Sequence, residues 1–287
     1  MRESGPHPMR HTVLLALLLT IPPAALAQQR PLVTEDPETI GEGRVLVEAG
    51  YDYARAVDYP VSGLRGHLRR FPLIGISLGI SSVAEVQIDG GLFNRLSITE
   101  RRPAPLSGSL TVSGDSTWDV EDVMTGLKVR LISEGPTRPS FAIRTATKLP
   151  MASNEAGLGL DTIDFFSSLL VAKTVQSVRV VGNIGLGILS DPTQGDRQND
   201  VLTYGVSIAR AVNSAAELVG EINGRKNTRP GQALPGTESR GMARFGGRYT
   251  IGSWRADAAV MVGITDNDPS VGVATGFTYV FTGLPIP

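Results

Sequence analysis

Residues 75–79, Gly-Ile-Ser-Leu-Gly, spell G-x-S-x-G, the nucleophile-elbow pattern of serine hydrolases. A serine hydroxyl is a weak nucleophile and needs a general base, usually histidine, within hydrogen-bond reach. In the α/β-hydrolase arrangement that histidine follows the serine along the chain. Here the three histidines, His7, His11 and His67, all precede Ser77. The elbow also needs a strand-turn-helix context, whereas residues 71–80 alternate as one uninterrupted strand. Ser77 is therefore expected to be a small residue on one face of a strand. The glycines that share its face need a reason of their own.

The other residues with chemistry to offer are charges at regular spacing. Arg240, Arg244 and Arg248 recur every fourth residue of one predicted strand, so neighbours on that face stand about 13 Å apart. Lys128, Arg130, Arg144 and Lys148 come from two consecutive predicted strands and form a second basic set. Glu217, Glu221 and Asp257 lie on the strands flanking the arginine ladder, where cross-strand pairing would neutralise it. Two readings stay open: a basic lining that favours anions, or ion pairs that fill the space between strands. No catalytic residue, metal-ligand set or cofactor site is expected.

Composition narrows what could position these groups. The chain has 287 residues, no cysteine, 27 Lys and Arg, 28 Asp and Glu, and a formal net charge of −1. This balance argues against a nucleic-acid partner, and the lack of cysteine excludes disulfides and thiolate metal sites. At the start, Arg2, Arg10 and His11 lead into the apolar run VLLALLLTI, and PPAALA ends in a small-x-small pattern. Residues 1–27 are expected to be an export signal cleaved after Ala27.

Beyond that point no stretch is apolar for the roughly 18 residues that a helical membrane span takes. Period-two alternation dominates instead. In RVLVEAGYDY (44–53), Val45, Val47, Ala49, Tyr51 and Tyr53 oppose Arg44, Leu46, Glu48, Gly50 and Asp52. In FPLIGISLGI (71–80), Ile74, Ile76, Leu78 and Ile80 oppose Gly75, Ser77 and Gly79. The pattern recurs through 84–93, 122–131, 141–149, 162–172, 178–189, 202–210, 217–225, 240–249, 254–264 and 271–281, about twelve strands. Most are near the 9–11 residues that a tilted membrane strand needs.

Charges on one face and apolar residues on the other suit either a soluble sandwich or a membrane barrel with a polar lumen. Connection lengths decide between them. Long Pro-, Gly- and Asp-rich segments such as 97–117 and 226–238 alternate with short ones such as SSVA, KTVQS, AVNSA and TIGS. The expected fold is an all-β, antiparallel outer-membrane-type barrel over residues 44–281. Residues 28–43 are expected as a periplasmic segment, with the acid run TEDPET solvated, and residues 282–287 as a short tail. Trp118, Phe141, Tyr249, Trp254, Tyr279 and Phe281 fall near strand ends, where interfacial girdles would sit.

The chain resembles the outer-membrane proteins of the MetA pathway of phenol degradation, a family often called transporters. The resemblance covers most of the chain after the signal. It is carried by LVTEDPETIGEGRVLVEAGYDYAR, DVMTGLKVRLI, ATKLPMASNEAGLGLDTIDFFSSLLVAK, LTYGVSIARAV and ELVGEINGR. It departs at the end, where the terminal aromatic read by the assembly machinery of such barrels is replaced by Phe281 followed by TGLPIP. The resemblance implies hydrophobic or aromatic solutes.

The expected function is passive or facilitated passage of small molecules across the outer membrane of a Gram-negative bacterium. The implied partners are outer-membrane lipid, a small-molecule solute and the barrel-assembly machinery. Lys128, Arg130, Arg144, Lys148, Glu221, Arg240, Arg244, Arg248 and Asp257 are expected to line the lumen. The alternatives are a structural or recognition barrel with a plugged lumen and an outer-membrane hydrolase. Barrel hydrolases place Ser and His close together on one strand, but His67 and Ser77 are about 33 Å apart along an extended chain.

Overall fold

A computed structural model describes residues 30–283. Its strands are β1 (Arg44–Tyr59), β2 (Leu64–Gly79), β3 (Ala84–Gly91), β4 (Asn94–Arg101), β5 (Ser116–Asp119), β6 (Val123–Ile132) and β7 (Ser140–Leu149). They continue with β8 (Asp164–Val175), β9 (Val178–Ser190), β10 (Gln198–Ala211), β11 (Ala216–Asn227), β12 (Arg240–Ile251), β13 (Trp254–Gly263) and β14 (Val271–Thr282). Each pairs antiparallel with its neighbours, and β1 pairs with both β2 and β14, which closes the sheet.

The fourteen strands make twelve crossings. β3 and β4 are one crossing interrupted at Leu92–Phe93, and β5 and β6 are one interrupted between Asp119 and Val123. β2 runs past the first interruption, pairing with β3 through Leu73–Gly79 and with β4 through Leu64–Arg70. The break falls beside Pro72, which has no N–H for the ladder. Pro72 O still accepts Leu92 N–H at 3.0 Å, and Phe71 N–H donates to Phe93 O at 2.9 Å, so the wall stays laced.

Two sequence expectations change here. Residues 54–70 and 97–117, expected as connections between strands, carry the upper parts of β1 and β2 and most of β4, together with the start of β5. The connection between β1 and β2 is only residues 60–63. The in-out alternation of hydrophobicity fades there because these strand ends are covered by loops rather than lipid. Their inward side chains Ala54, Val57, Leu64, Leu68 and Leu96 form a small core, closed by Leu110 and Leu158 from the long connections.

Alternation also explains the exterior. Large apolar side chains face outward around the wall. Ile143, Leu169 and Ile184 pair in register across three adjacent strands and are 41%, 44% and 55% exposed. A charge at the centre of that row would meet hydrocarbon. Ile184→Arg should lower the unfolding free energy in bilayers by about 2–4 kcal/mol, read by urea titration against Val178→Arg near the strand end, where the cost should be smaller. Trp254, Phe277, Tyr279 and Phe281 cluster at the end that carries the short turns, with Trp254 and Tyr279 centroids 4.3 Å apart.

Residues 30–43 require the largest correction. They do not lie beneath the barrel but run inside it, from the short-turn rim to mid-height. Gly43 N–H donates to Gly79 O at the rim. From there the segment bonds to side chains or backbone of strands on every side: β3, β6, β7, β9, β11 and β14. Only a chain threaded through the lumen can reach all of these walls. The expected signal, residues 1–27, and the last part of the tail, residues 284–287, lie outside the described residues.

Candidate functional site

The strap at residues 30–43 rests on an inner surface built to receive it. Val33 and Thr34 N–H groups both donate to the Glu221 carboxylate, at 2.8–3.0 Å. Glu35 N–H donates to Asn183 Oδ1 at 2.7 Å, and Asn183 Nδ2 returns a bond to Glu35 O at 2.8 Å. Ile40 N–H donates to Glu85 at 2.7 Å. The backbone polar groups of an irregular segment must find such partners when water is excluded.

The acid run TEDPET is buried, not solvated. Glu35 and Asp36 are each 7% exposed. Asp36 receives a two-pronged bond from Arg179, at 2.5 and 2.6 Å. Glu35 pairs with Arg144 at 3.0 Å and Lys128 at 3.3 Å. Glu38 pairs with Arg130. The alternating strands could reveal inward charge, but not that the chain's own N-terminal acids supply the counter-charge from hundreds of ångströms of contour away.

All nine residues expected at the lumen point into this interior, and most are neutralised there. Lys128, fully buried, binds Glu85 at 3.0 Å, Glu35, and the Asp36 carbonyl at 2.9 Å. Lys148 bridges Asp122 and Asp164, at 3.0 and 3.1 Å. On the arginine ladder, Arg244 pairs with Glu221 at 2.7 Å, and Arg248 lies 3.8 Å from Glu217 and donates to Arg30 O. Asp257 faces Arg30 at 3.6 Å. Arg240 alone of the ladder has no carboxylate partner among the described residues; it donates to the Asp58 carbonyl at 3.0 Å. The neutralised-ladder reading holds for Arg244 and Arg248, and Arg240 departs from it. Residues 34–38 and Arg179 were missed as site residues because their roles depend on contacts far apart in sequence.

The small residues of the inner face now have their reason. An added Cβ on Gly79 would sit 1.8 Å from Gly41 O, and one on Gly50 would sit 2.2 Å from the Arg30 guanidinium. Gly79 ends the G-x-S-x-G stretch, so that pattern marks the strap's seat. Gly79→Val should push the strap off the wall. Trypsin added to vesicles carrying the folded barrel should then cleave near Arg30 or Arg44 in the variant at a rate about tenfold above that of the native chain, corresponding to about 1.4 kcal/mol easier opening. His67 takes no part: its Nδ1 accepts Ala56 N–H at 3.3 Å and its ring packs beside outward-facing Tyr53, on the face opposite Ser77.

The strap divides the lumen unequally. On the short-turn side, a pocket of only about 40 Å³ lies between Asp36, Arg179, Glu217, Arg248 and Arg255. Toward the long connections a chamber of about 570 Å³ opens, with Val33, Thr34 and Glu35 as its floor. Its roof is made by the connections themselves. Ser62 Oγ donates to Gly157 O at 2.8 Å, and Val61, Leu160 and Pro192 all approach Gly236. Two neighbouring spaces of about 380 and 630 Å³ share lining residues with this chamber or with each other. The long connections are thus partly committed to covering the mouth.

No protein-family model and no curated protein sequence matches the chain. Among solved structures it is similar to the COG4313 outer membrane channel from Pseudomonas putida F1, with TM-score 0.64 at 12% identity over 86% of this chain and 98% of that one. It also aligns with the Pseudomonas putida toluene transporter TodX (TM-score 0.43, 11% identity, 87% and 92% covered) and with LpxR from Salmonella typhimurium (0.43, 9%, 83% and 100%). The first of these likenesses establishes the fold, a closed twelve-stranded antiparallel barrel of the outer-membrane type.

Proposed function

We propose that the chain is an outer-membrane channel of a Gram-negative bacterium, passing small organic solutes from the chamber under the long loops past the N-terminal strap. The short turns then face the periplasm and the long connections face outward. The observation that carries this reading is the asymmetry of the lumen. A roofed chamber large enough for a small organic molecule ends at a strap, which wall residues hold in place by hydrogen bonds and ion pairs. A barrel that is only structural has no need of such a chamber. The resemblance to the phenol-degradation family supports apolar or aromatic solutes, and the chamber's leucine and phenylalanine surface agrees with them.

The test is conductance of the refolded chain in a planar bilayer under a salt gradient, beside uptake of a neutral aromatic solute into vesicles. Passage predicts saturable solute uptake that the barrel supplies and empty vesicles lack. Inserted, folded protein that passes neither ions nor solute, with the strap in place or displaced, would overturn it in favour of a structural barrel.

A further inference from the structure

The chamber's charges are not all accounted for by pairing. Four carboxylates face it, and each has a cation: Glu35 has Arg144 and Lys128, Asp58 has Arg102, and Asp122 and Asp164 share Lys148. Four basic side chains also line it, and Arg144 and Lys148 are consumed in those pairs. Arg225 and Arg240 remain. They stand directly opposite each other in the β11–β12 register. Arg225 donates to the Glu238 and Gly236 carbonyls at 3.0 and 2.8 Å, and Arg240 to the Asp58 carbonyl at 3.0 Å. Neither guanidinium pairs with a carboxylate among the described residues. Of the nearby acids, Glu121 pairs with Arg70 at 2.9 Å, while Asp268 and Glu238 have no cation partner among the described residues and accept Gly241 N–H at 2.8 Å and Gly236 N–H at 2.9 Å, so their charge offsets the two arginines only from a distance.

Like charges directly opposite on adjacent strands repel. Here the carbonyl bonds hold both guanidinium groups in place without cancelling their charge, and each keeps N–H donors to spare. A planar carboxylate between two such forks would gain charge-assisted hydrogen bonds and remove the repulsion. The rest of the chamber offers nothing comparable to an anion. Part of its lining is apolar, with Phe166 from β8 and Leu158 and Leu160 from the roof, beside neutral polar groups such as Ser168, Thr203 and Tyr204.

We propose that this chamber binds an amphipathic organic anion, with its carboxylate between Arg225 and Arg240 and its aromatic or aliphatic body against Phe166 and the roof leucines Leu158 and Leu160. The inference rests on the passage reading and gives it a substrate class. It also reconciles a basic lining with an apolar solute, since one molecule supplies both ends.

The probe is 2-naphthoate, set against its neutral relative 2-naphthamide, with binding to the refolded chain in detergent read by probe fluorescence. The native chain should prefer naphthoate by about tenfold. Arg225→Gln with Arg240→Gln should abolish that preference while leaving naphthamide affinity unchanged. Folding is checked by heat-modifiable migration on a gel. Should the double variant fail to fold, Arg240→Gln alone, which gives up one carbonyl bond, should reduce the preference about threefold. Equal binding of the two probes by the native chain, binding of neither, or a preference that survives the substitutions overturns the inference. Solute uptake measured separately distinguishes the outcomes. Uptake without carboxylate preference removes only the anion site, whereas carboxylate binding without any uptake removes the passage reading.

Discussion

Replacing Glu35, Asp36 and Glu38 together by Gln, Asn and Gln is expected to turn a constricted barrel into an open, anion-preferring channel. These three side chains supply the strap's bonds to Arg144, Lys128, Arg179 and Arg130. Breaking one partner of a buried pair costs about 3–5 kcal/mol while the other charge stays buried. Losing the four pairs these acids make far exceeds what Glu221 and Asn183 can hold through the strap's backbone. The strap leaves, water enters, and the freed cations are hydrated instead of stranded. The narrow space beside Asp36 and Arg179, a pocket of about 40 Å³, then widens toward the full lumen. Single-channel conductance should rise at least about tenfold, the factor for a barrier lowered by roughly 1.4 kcal/mol. Lys128 and Arg179 keep Glu85 and Glu134, but the three lost negative charges leave the lining more basic, which should shift the reversal potential toward anions. A folded, inserted variant with native conductance would mean that the strap is not the barrier.

That expectation could not be reached from the sequence, and the reason is physical. Period-two patterning reports which face of a strand meets lipid, because every second residue must be apolar there. It therefore marked twelve crossings, the outward row through Ile143, Leu169 and Ile184, and the inward set Lys128, Arg144, Glu221 and Arg244. It is silent on what fills the inside. An acid run before the first strand looks the same whether water or arginine solvates it, and TEDPET carries no periodicity to say that Asp36 meets Arg179 across 143 positions. The glycines of LIGISLGI were legible as an inward row but not as a seat, since a close approach by a distant backbone leaves no local mark. Pattern also fails where lipid ends, which is why the upper parts of β1 and β2 and the β4 segment read as loop. The same limit explains Arg240. On the strand it is one rung among three, and only the packing of the connections shows that its neighbours are carbonyls and a second arginine.

Lys128→Met is expected to be the most destabilising single substitution at the strap, by about 3–5 kcal/mol, as read from urea unfolding in bilayers through the two tryptophans. The ammonium is fully buried between Glu85 and Glu35, and it also caps the Asp36 carbonyl. Methionine matches the stem but removes the cation that stands between the two carboxylates. Glu85 keeps Gln87 at 2.9 Å and Ile40 N–H at 2.7 Å, and Glu35 keeps Arg144 at 3.0 Å, so the loss should fall toward the lower end of that range. The decisive comparison is a double-mutant cycle. In the background of the triple strap substitution, water reaches position 128 and Glu35 is already neutral, so Lys128→Met should cost less than about 1 kcal/mol. A coupling of about 2 kcal/mol or more places the strap inside the folded barrel as an integral part of its stability. Equal costs in both backgrounds would mean that Lys128 acts through Glu85 alone, and that the strap contributes to closure without contributing to the fold.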